Sequence, residues 1–375
     1  MKERVLIVGV CEPDRVGEEK ELMDELKLLV DSAGGEVVLS TMQVRKNIDP
    51  ATVVGNGKLK EIKELVEDNE VDLVIFNLAI SGSQKRNLER LLGTKVIDRV
   101  ELIMDIFAQH ARTKEARLQV MWAQLSYRLS RLKGIGAEMS RLGGGIGTRG
   151  PGEQKLEVDR RAIRRRLSRI SKELKEIEKR RNLQRRNRRK YGNPMVSLVG
   201  YTNSGKSTLL AALSKADVYI EDRLFSTLDP LTRRVYVGEG KCVLVSDTVG
   251  FIRRLPTNLV SAFRATLEEL RYADLLLEVV DASVDDIEGY MVAVEEILKE
   301  LDLLGKERWV VFNKVDLLDV ESINNLISRY PGSIAISALK GYNLDVLRRK
   351  LFKRFFSGYG RNVLGHTEYD GVQQN

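Results

Sequence analysis

The sequence predicts an α/β protein in three parts: an N-terminal parallel α/β domain, an antiparallel helical hairpin, and a second α/β domain built around a phosphate-binding loop. Short apolar strands alternate with helical stretches at both ends of the chain, and two heptad-patterned helices lie between them. The motif G-x-x-x-x-G-K-S follows the first strand of the second alternation. We expect domain boundaries at residues 1–98, 99–192 and 193–356, with 357–375 as a tail.

The composition is that of a folded intracellular protein. The 375 residues are 43% apolar and 31% charged, which excludes a disordered chain and suffices for two or three domains. No apolar run is long enough for a membrane span or a signal peptide. Two cysteines, Cys11 and Cys242, cannot form a disulfide framework. We therefore expect a cytoplasmic monomer without a membrane span.

The first domain is predicted from four short apolar strands with helical stretches between them. The strands are expected at residues 5–10, 36–40, 73–77 and 95–98. The helices are expected at residues 18–33, 59–69 and 84–92. Regular alternation of this kind is typical of a parallel sheet.

The hairpin is predicted from two heptad seams. Residues 101–132 are expected to form one long helix, with a seam at Leu118, Trp122, Leu125, Leu129 and Leu132. The same 4-3-4-3 spacing returns at Ile163, Leu167, Ile170, Leu174 and Ile177. Between them, residues 143–152 contain six glycines and a proline, which interrupt the helix. Two such helices in one chain most simply fold back as an antiparallel coiled coil.

The second helix of the hairpin holds the positive charge of the protein. Residues 157–190 contain 16 Lys or Arg and 5 Asp or Glu, a net of +11, whereas the whole chain carries +8. Too few acids are present for this charge to be paired along the helix, so we expect a polyanionic partner, rRNA or the ribosome. The candidate contacts are Arg149, Arg160, Arg161, Arg164, Arg165 and Arg166.

The phosphate-binding loop predicts a nucleotide site at the start of the second domain. Its glycines let backbone N–H groups approach phosphates, Lys206 neutralises the β- and γ-phosphates, and Ser207 supplies an oxygen to Mg²⁺. The predicted phosphate contacts are Gly200, Tyr201, Thr202, Asn203, Ser204, Gly205, Lys206, Ser207 and Thr208. A second phosphate motif, D-x-x-G, contributes Asp247, Thr248, Val249 and Gly250.

The base is chosen by the motif N-K-x-D. Asp316 can accept hydrogen bonds from both N1–H and the 2-amino group of guanine, whereas adenine offers no such pair of donors. Asn313 and Lys314 complete the motif, and the side chain of Lys314 is expected to lie along the guanine ring. Ser337, Ala338 and Leu339 then offer the Ala338 N–H to guanine O6. The four motifs in this order predict a Ras-like P-loop GTPase domain.

Three residues form the predicted catalytic set: Lys206, Gly250 and Thr227. Lys206 and the Gly250 N–H are expected to stabilise the transferred phosphate, and Thr227 is expected to close on Mg²⁺ beside Ser207. Ser226 and Thr232 lie nearby and compete with Thr227 for that role. Phe251, directly after D-x-x-G, has no acceptor with which to orient water, which predicts slow intrinsic hydrolysis and a partner that supplies the missing group.

The stretches GGGIGTRGPGE, GYTNSGKST and DTVGF resemble the HflX family of ribosome-associated GTPases, over nearly the whole chain. The resemblance implies GTP hydrolysis with Mg²⁺ and binding to the large ribosomal subunit. Asn203 matches the asparagine of K⁺-activated GTPases, so K⁺ is a candidate second ion. The alternative is an RNA-binding or RNA-remodelling protein whose GTPase domain only tunes its affinity.

Overall fold

The computed structural model describes residues 2–142, 151–190, 192–214, 224–225, 231–254 and 267–357. By their contacts the residues form two units. The first comprises Met1–Arg186, Glu221–Asp229 and Val249–Glu268, and the second comprises Asn187–Ile220, Pro230–Thr248 and Glu269–Asn375. Among the described residues, no helix combines the length and apolarity that a membrane crossing needs.

The first unit is built on a four-stranded parallel sheet in the order β2-β1-β3-β4. Its strands are β1 Arg4–Cys11, β2 Glu36–Val44, β3 Leu73–Phe76 and β4 Lys95–Asp98. Its helices are α1 Val16–Ser32, α2 Asn56–Asp68, α3 Gly82–Leu92 and α4 Arg99–His110. The central strands are unbroken apolar runs because helices cover both faces of a parallel sheet. The predicted alternation is confirmed.

The helix expected over residues 101–132 is two helices. Helix α4 ends at His110, Ala111 is extended, and α5 starts at Lys114 and runs to Leu142. The break has a local cause: the hydroxyl of Thr113 accepts the Ala116 N–H at 3.1 Å and so caps the new helix. The spacing of apolar residues does not reveal this break, because the cap depends on a polar side chain.

The antiparallel hairpin is confirmed. Helix α6 extends from Pro151 to Lys190, with proline at its first position, where no N–H is needed. Pairs of residues join α5 and α6 in opposite directions along the chain: Arg160 Nη2 to the Leu132 carbonyl (2.6 Å), Arg166 to the sulfur of Met121 (3.5 Å), Lys114 to Glu173 (3.2 Å) and Arg181 to Glu115 (3.1 Å).

A buried carboxylate fixes the base of the hairpin to the sheet. Asp98, at the end of β4, accepts the Ile80 N–H (3.0 Å), the Glu101 N–H (2.9 Å), the Tyr127 hydroxyl and Arg131 (2.5 Å). Burial and the neighbouring carboxylate raise the pKa of Tyr127, which keeps its hydroxyl a donor. Helix α5 is therefore held to the sheet by charge-assisted hydrogen bonds as well as by apolar packing.

The second unit holds a six-stranded sheet in the order β10-β9-β8-β5-β7-β6, in which only β6 runs antiparallel. The strands are β5 Met195–Val199, β6 Leu231–Gly238, β7 Lys241–Asp247, β8 Leu275–Asp281, β9 Arg308–Asn313 and β10 Ile334–Ala335. The helices are α7 Lys206–Ser214, α8 Ile287–Glu300, α9 Val320–Arg329 and α10 Leu344–Phe356. Every functional motif of this unit follows the carboxyl end of a strand.

Candidate nucleotide site

Two positions of the phosphate-binding loop require glycine. Gly200 and Gly205 have φ values of 147° and 86°. A Cβ atom would lie 2.2 Å from the Val279 carbonyl oxygen at Gly200, and 2.2 Å from Asn313 Nδ2 at Gly205. At these two positions the loop passes too close to Val279 and Asn313 for a side chain, and it places Lys206 in the first turn of α7, where helix N–H groups favour phosphate.

Lys206 is buried inside the loop. Its ammonium donates to the carbonyl oxygens of Gly200 (3.1 Å) and Tyr201 (2.5 Å). Burial lowers the pKa of Lys206 to about 8, against a smaller opposing effect of the Asp247 carboxylate. Thr202 and Ser204, also buried in the loop, each have a hydroxyl oxygen without a hydrogen-bond partner among the described residues. Phosphate oxygens are the acceptors that such a cluster of donors fits.

The lowered pKa predicts proton uptake when nucleotide binds at alkaline pH. Below pH 8 Lys206 is charged before and after binding; above it, the neutral amine must be protonated to pair with phosphate. We expect GDP binding to take up almost no proton at pH 7 and about 0.9 proton at pH 9. Above pH 8 the affinity for GDP should fall, and the decrease should approach tenfold for each pH unit. Calorimetry in buffers of different ionisation enthalpy measures the uptake, and Lys206→Met should abolish it. Equal uptake at both pH values contradicts the prediction.

The Mg²⁺ candidate Ser207 lies beside Asp247 of the D-x-x-G motif. The Ser207 hydroxyl donates to Asp247 Oδ2 at 2.6 Å, although forty positions separate the two residues. Thr248, buried beside them, donates its hydroxyl to the Leu198 carbonyl at 2.7 Å, which holds the D-x-x-G motif against β5. A hydroxyl and a carboxylate oxygen are the hard donors that Mg²⁺ prefers, usually with several waters retained. The donor set fits the ion.

One amide joins the base motif to the phosphate-binding loop. Asn313 Nδ2 donates to the Ser204 carbonyl, and Asn313 Oδ1 accepts the Ala338 N–H, both at 2.9 Å. The Ala338 N–H thus has an acceptor inside the protein, and its contact with guanine O6 stays a prediction. Asp316 is exposed at the mouth of this region, and Leu339 is 76% exposed. The structure brings the three motifs to one edge of the sheet, as their order along the chain predicts.

Three consecutive regions of the chain match known protein families. Family models match residues 20–108, 110–188 and 195–314, and they describe a GTP-binding GTPase N-terminal region, a GTP-binding GTPase middle region and a 50S ribosome-binding GTPase. The GTPase HflX of Caldanaerobacter subterraneus is 50% identical over 94% of this chain and 81% of its own length. The chain belongs to the HflX family. Escherichia coli GTPase HflX is 43% identical over 94% of this chain and 83% of its own.

A solved structure agrees with this membership. SsGBP in complex with GDP superposes with a TM-score of 0.51 at 27% identity, over 95% of this chain and 99% of that one. The HflX chain described here is therefore a GTPase that binds and hydrolyses GTP, with the α/β architecture that its sequence predicts. Nucleotide binding in such GTPases is generally accompanied by Mg²⁺.

Two predicted site residues of this HflX chain, Thr227 and Arg149, lie outside the described residues. Ser226, a rival of Thr227, also lies outside them. The other rival, Thr232, lies on β6 and its hydroxyl contacts Ser246 Oγ at 3.4 Å. The proposed closure of Thr227 on Mg²⁺ accordingly stays a prediction.

The residues after D-x-x-G belong to the first unit of the HflX chain. Phe251 is 1% exposed, so its side chain is packed inside the protein. Arg253 pairs with Glu21 (2.5 Å), and Arg254 pairs with Glu18 (2.5 Å), both on α1. Sequence reasoning did not anticipate these contacts, and the adjacent arginines after the motif were the only signal.

A buried arginine supports the same segment. Arg99 Nη2 donates to the Arg253 carbonyl (3.4 Å), while its guanidinium also binds Glu25, Asn77 (3.1 Å) and the Leu22 carbonyl (3.3 Å). The carboxyl end of the first sheet, a common ligand site in open α/β folds, thus holds a segment of the same chain. No motif marks Arg99 in the sequence.

The predicted RNA contacts of the HflX hairpin fall into two groups. Arg160 and Arg166 bind atoms of α5 and lie beside the seam. Arg161 pairs with Glu157 at 3.2 Å but is exposed. Arg164 and Arg165 are exposed and form no ion pair among the described residues. The second group is the one available to a partner.

Proposed function

We propose that this HflX GTPase docks on the large ribosomal subunit through rRNA contacts of its basic hairpin, and that its slow intrinsic hydrolysis is stimulated there. The proposal describes a cytoplasmic monomer that alternates between GTP and GDP. The observation that carries it is the arrangement of unpaired cations along α6. The description of the matching family model as a 50S ribosome-binding GTPase supports the choice of partner.

The cations of α6 form a stripe on its outer face. Six exposed basic residues of α6 make neither an ion pair nor a side-chain hydrogen bond among the described residues: Arg164, Arg165, Arg169, Lys172, Lys175 and Arg180. At 100° per residue they occupy an arc of about 160°, centred opposite the seam that packs on α5. We call these six residues the cationic stripe. Arginines on the seam side are bound to α5 instead.

The cationic stripe fits a nucleic-acid backbone. It extends about 24 Å along the helix, and apart from the adjacent Arg164 and Arg165 its members follow one another by about one turn. A phosphate backbone offers negative charge at regular short intervals, and counterion release makes each contact favourable. An acidic protein surface lacks this regularity. Asp98 ties α5 to the first sheet through Tyr127 and Arg131, and Arg160 of α6 is bound to α5 in turn.

The catalytic proposal assigns roles to the motif residues. Lys206 and the Gly250 N–H would stabilise the transferred phosphate, and Ser207 and Thr227 would hold Mg²⁺, which would neutralise charge on the phosphates. Asn203, whose backbone is left-handed with a φ of 59°, is proposed as a K⁺ contact. Phe251, buried and without a hydrogen-bonding group, cannot orient water. The missing group must then come from the partner.

The test is GTP turnover by the full chain with and without purified large ribosomal subunits, at low and moderate salt. We expect strong stimulation that weakens as salt rises, because each phosphate contact releases counterions.

Replacing K⁺ with Na⁺ in the same assay tests the second ion, and equal turnover in the two buffers contradicts the K⁺ proposal.

Free rRNA fragments are the control for this experiment. Stimulation by subunits but not by free RNA supports a GTPase activated on the ribosome. Equal effects of free RNA support the alternative, an RNA-binding protein whose nucleotide state tunes its affinity. If GTP binds tightly and neither the subunits nor the free RNA raises GTP turnover, the ribosome proposal is wrong.

A further inference from the structure

We propose that Asp281 is a positioning residue for the guanine base: it holds the ammonium of Lys314 so that the side chain of Lys314 lies along the ring. The inference goes beyond ribosome docking, and it rests on the proposed placement of Lys314 beside the base. No nucleotide motif includes Asp281, which ends β8 thirty-three positions before Lys314.

The two side chains form a short, partly buried ion pair. Lys314 Nζ lies 2.7 Å from Asp281 Oδ2, and the side chains are 28% and 15% exposed. The pair joins neighbouring strands, because Asp281 lies in register with Asn313, and the Ala282 N–H donates to the Asn313 carbonyl at 2.9 Å. Asp281 therefore sits directly beside the start of the base motif.

The carboxylate of Asp281 is itself held in place. Its other oxygen, Oδ1, accepts the N–H of Ser283 at 3.0 Å and the hydroxyl of Ser283 at 2.6 Å. One oxygen is thus fixed by its own loop, and the other is left to Lys314. Lys314 in turn has a left-handed backbone, with φ 63° and ψ 28°, just before the turn that carries Asp316.

Holding the ammonium changes what Lys314 contributes to binding. A free lysine side chain loses about 2 kcal/mol of rotamer entropy when it is fixed on a ligand. Lys314 is already fixed before the base arrives, so less entropy is lost on binding. Because Asp281 neutralises the ammonium, the contribution of Lys314 is contact of its carbon chain with the ring face, which every purine offers.

The test measures the dissociation constants of GDP and IDP for the full chain carrying Asp281→Asn. We expect both constants to rise by about 3- to 10-fold, to the same extent, as for loss of a partly buried ion pair. The KM for GTP should rise with them, while kcat at saturating GTP and the melting temperature stay unchanged. The matched control is Asp345→Asn, which makes the same chemical change in an exposed pair with Arg349.

Lys314→Met and the double variant decide between the possible outcomes. Lys314→Met keeps the carbon chain and removes the charge, so Asp281→Asn should add nothing in that background. The inference is overturned if Asp281→Asn leaves the GDP constant unchanged, lowers it, or weakens binding equally in the Lys314→Met background. If Lys314→Ala, which removes the chain beyond Cβ, leaves GDP binding unchanged, Lys314 does not contact the base; the proposed placement then fails, and the role of Asp281 with it.

Discussion

Replacing Asp316 with Asn is expected to weaken GTP binding about 100-fold and to create binding of xanthosine triphosphate, as loss of a charge-assisted pair of hydrogen bonds implies. A carboxylate accepts both the N1–H and the 2-amino group of guanine. An amide has one oxygen and two N–H donors, so one guanine donor is left facing an N–H. Xanthine carries an oxygen at that position, which the amide satisfies.

The position of Asp316 allows this substitution without disturbance of the fold. The residue is exposed, and it lies in a short turn held by backbone bonds, from the Val315 N–H to Ile336 (3.2 Å) and from the Leu317 N–H to Lys314 (3.0 Å). The change should therefore alter base recognition without altering the fold. Fluorescent GTP and XTP analogues measure the two dissociation constants.

Asp319 supplies the control for the Asp316 variant. Its carboxylate caps α9 by accepting the Ser322 N–H at 2.7 Å, and asparagine caps helices as well as aspartate does. Asp319→Asn should leave both GTP and XTP binding as they are. Normal GTP affinity in the Asp316→Asn variant would show that the base is recognised elsewhere.

Reversing three charges of the cationic stripe, with Arg164, Arg165 and Arg169 each changed to Glu, is expected to lower affinity for large ribosomal subunits about 100-fold or more at moderate salt. Three phosphate contacts are lost, and repulsion replaces them. The slope of log affinity against log salt should fall by about 2 to 3, since each lost contact removes about one unit. GTP affinity should not change, because these residues lie outside the nucleotide motifs.

A charge-matched variant separates the stripe from overall charge. Lys20, Lys60 and Lys63 are exposed on α1 and α2, and changing them to Glu alters the net charge equally. That variant should retain subunit binding and most of its salt dependence. Sedimentation with subunits measures both variants, and circular dichroism checks the hairpin. Equal losses in the two would mean that net charge, not the stripe, drives association.

The secondary structure of both units was largely predictable, because their strands are short apolar runs separated by helical stretches. Strand β4 was predicted at its observed residues, and the hairpin followed from the heptad spacing. The break before Lys114 was missed, since it depends on one hydroxyl, that of Thr113, and not on apolar periodicity. Helix α6 also starts within the glycine-rich stretch, at Pro151, where the loss of an N–H is harmless.

The nucleotide motifs were predictable for a physical reason. Phosphates are bound by consecutive backbone N–H groups and by one lysine, and guanine is recognised by a single carboxylate, so a few adjacent residues specify each contact. Even the approach of Ser207 to Asp247 follows from motif order, because both follow neighbouring parallel strands.

By itself, the sequence determined that this protein is a GTPase of the HflX family, since the chemistry of GTP is encoded in contiguous motifs. Only the tertiary structure decided which residues support those motifs. Asp281 meets Lys314, and Asn313 meets Ser204, each across a long stretch of chain. Parallel strands place their carboxyl ends together whatever their separation in sequence, so such partners carry no local pattern and arise from strand order and register.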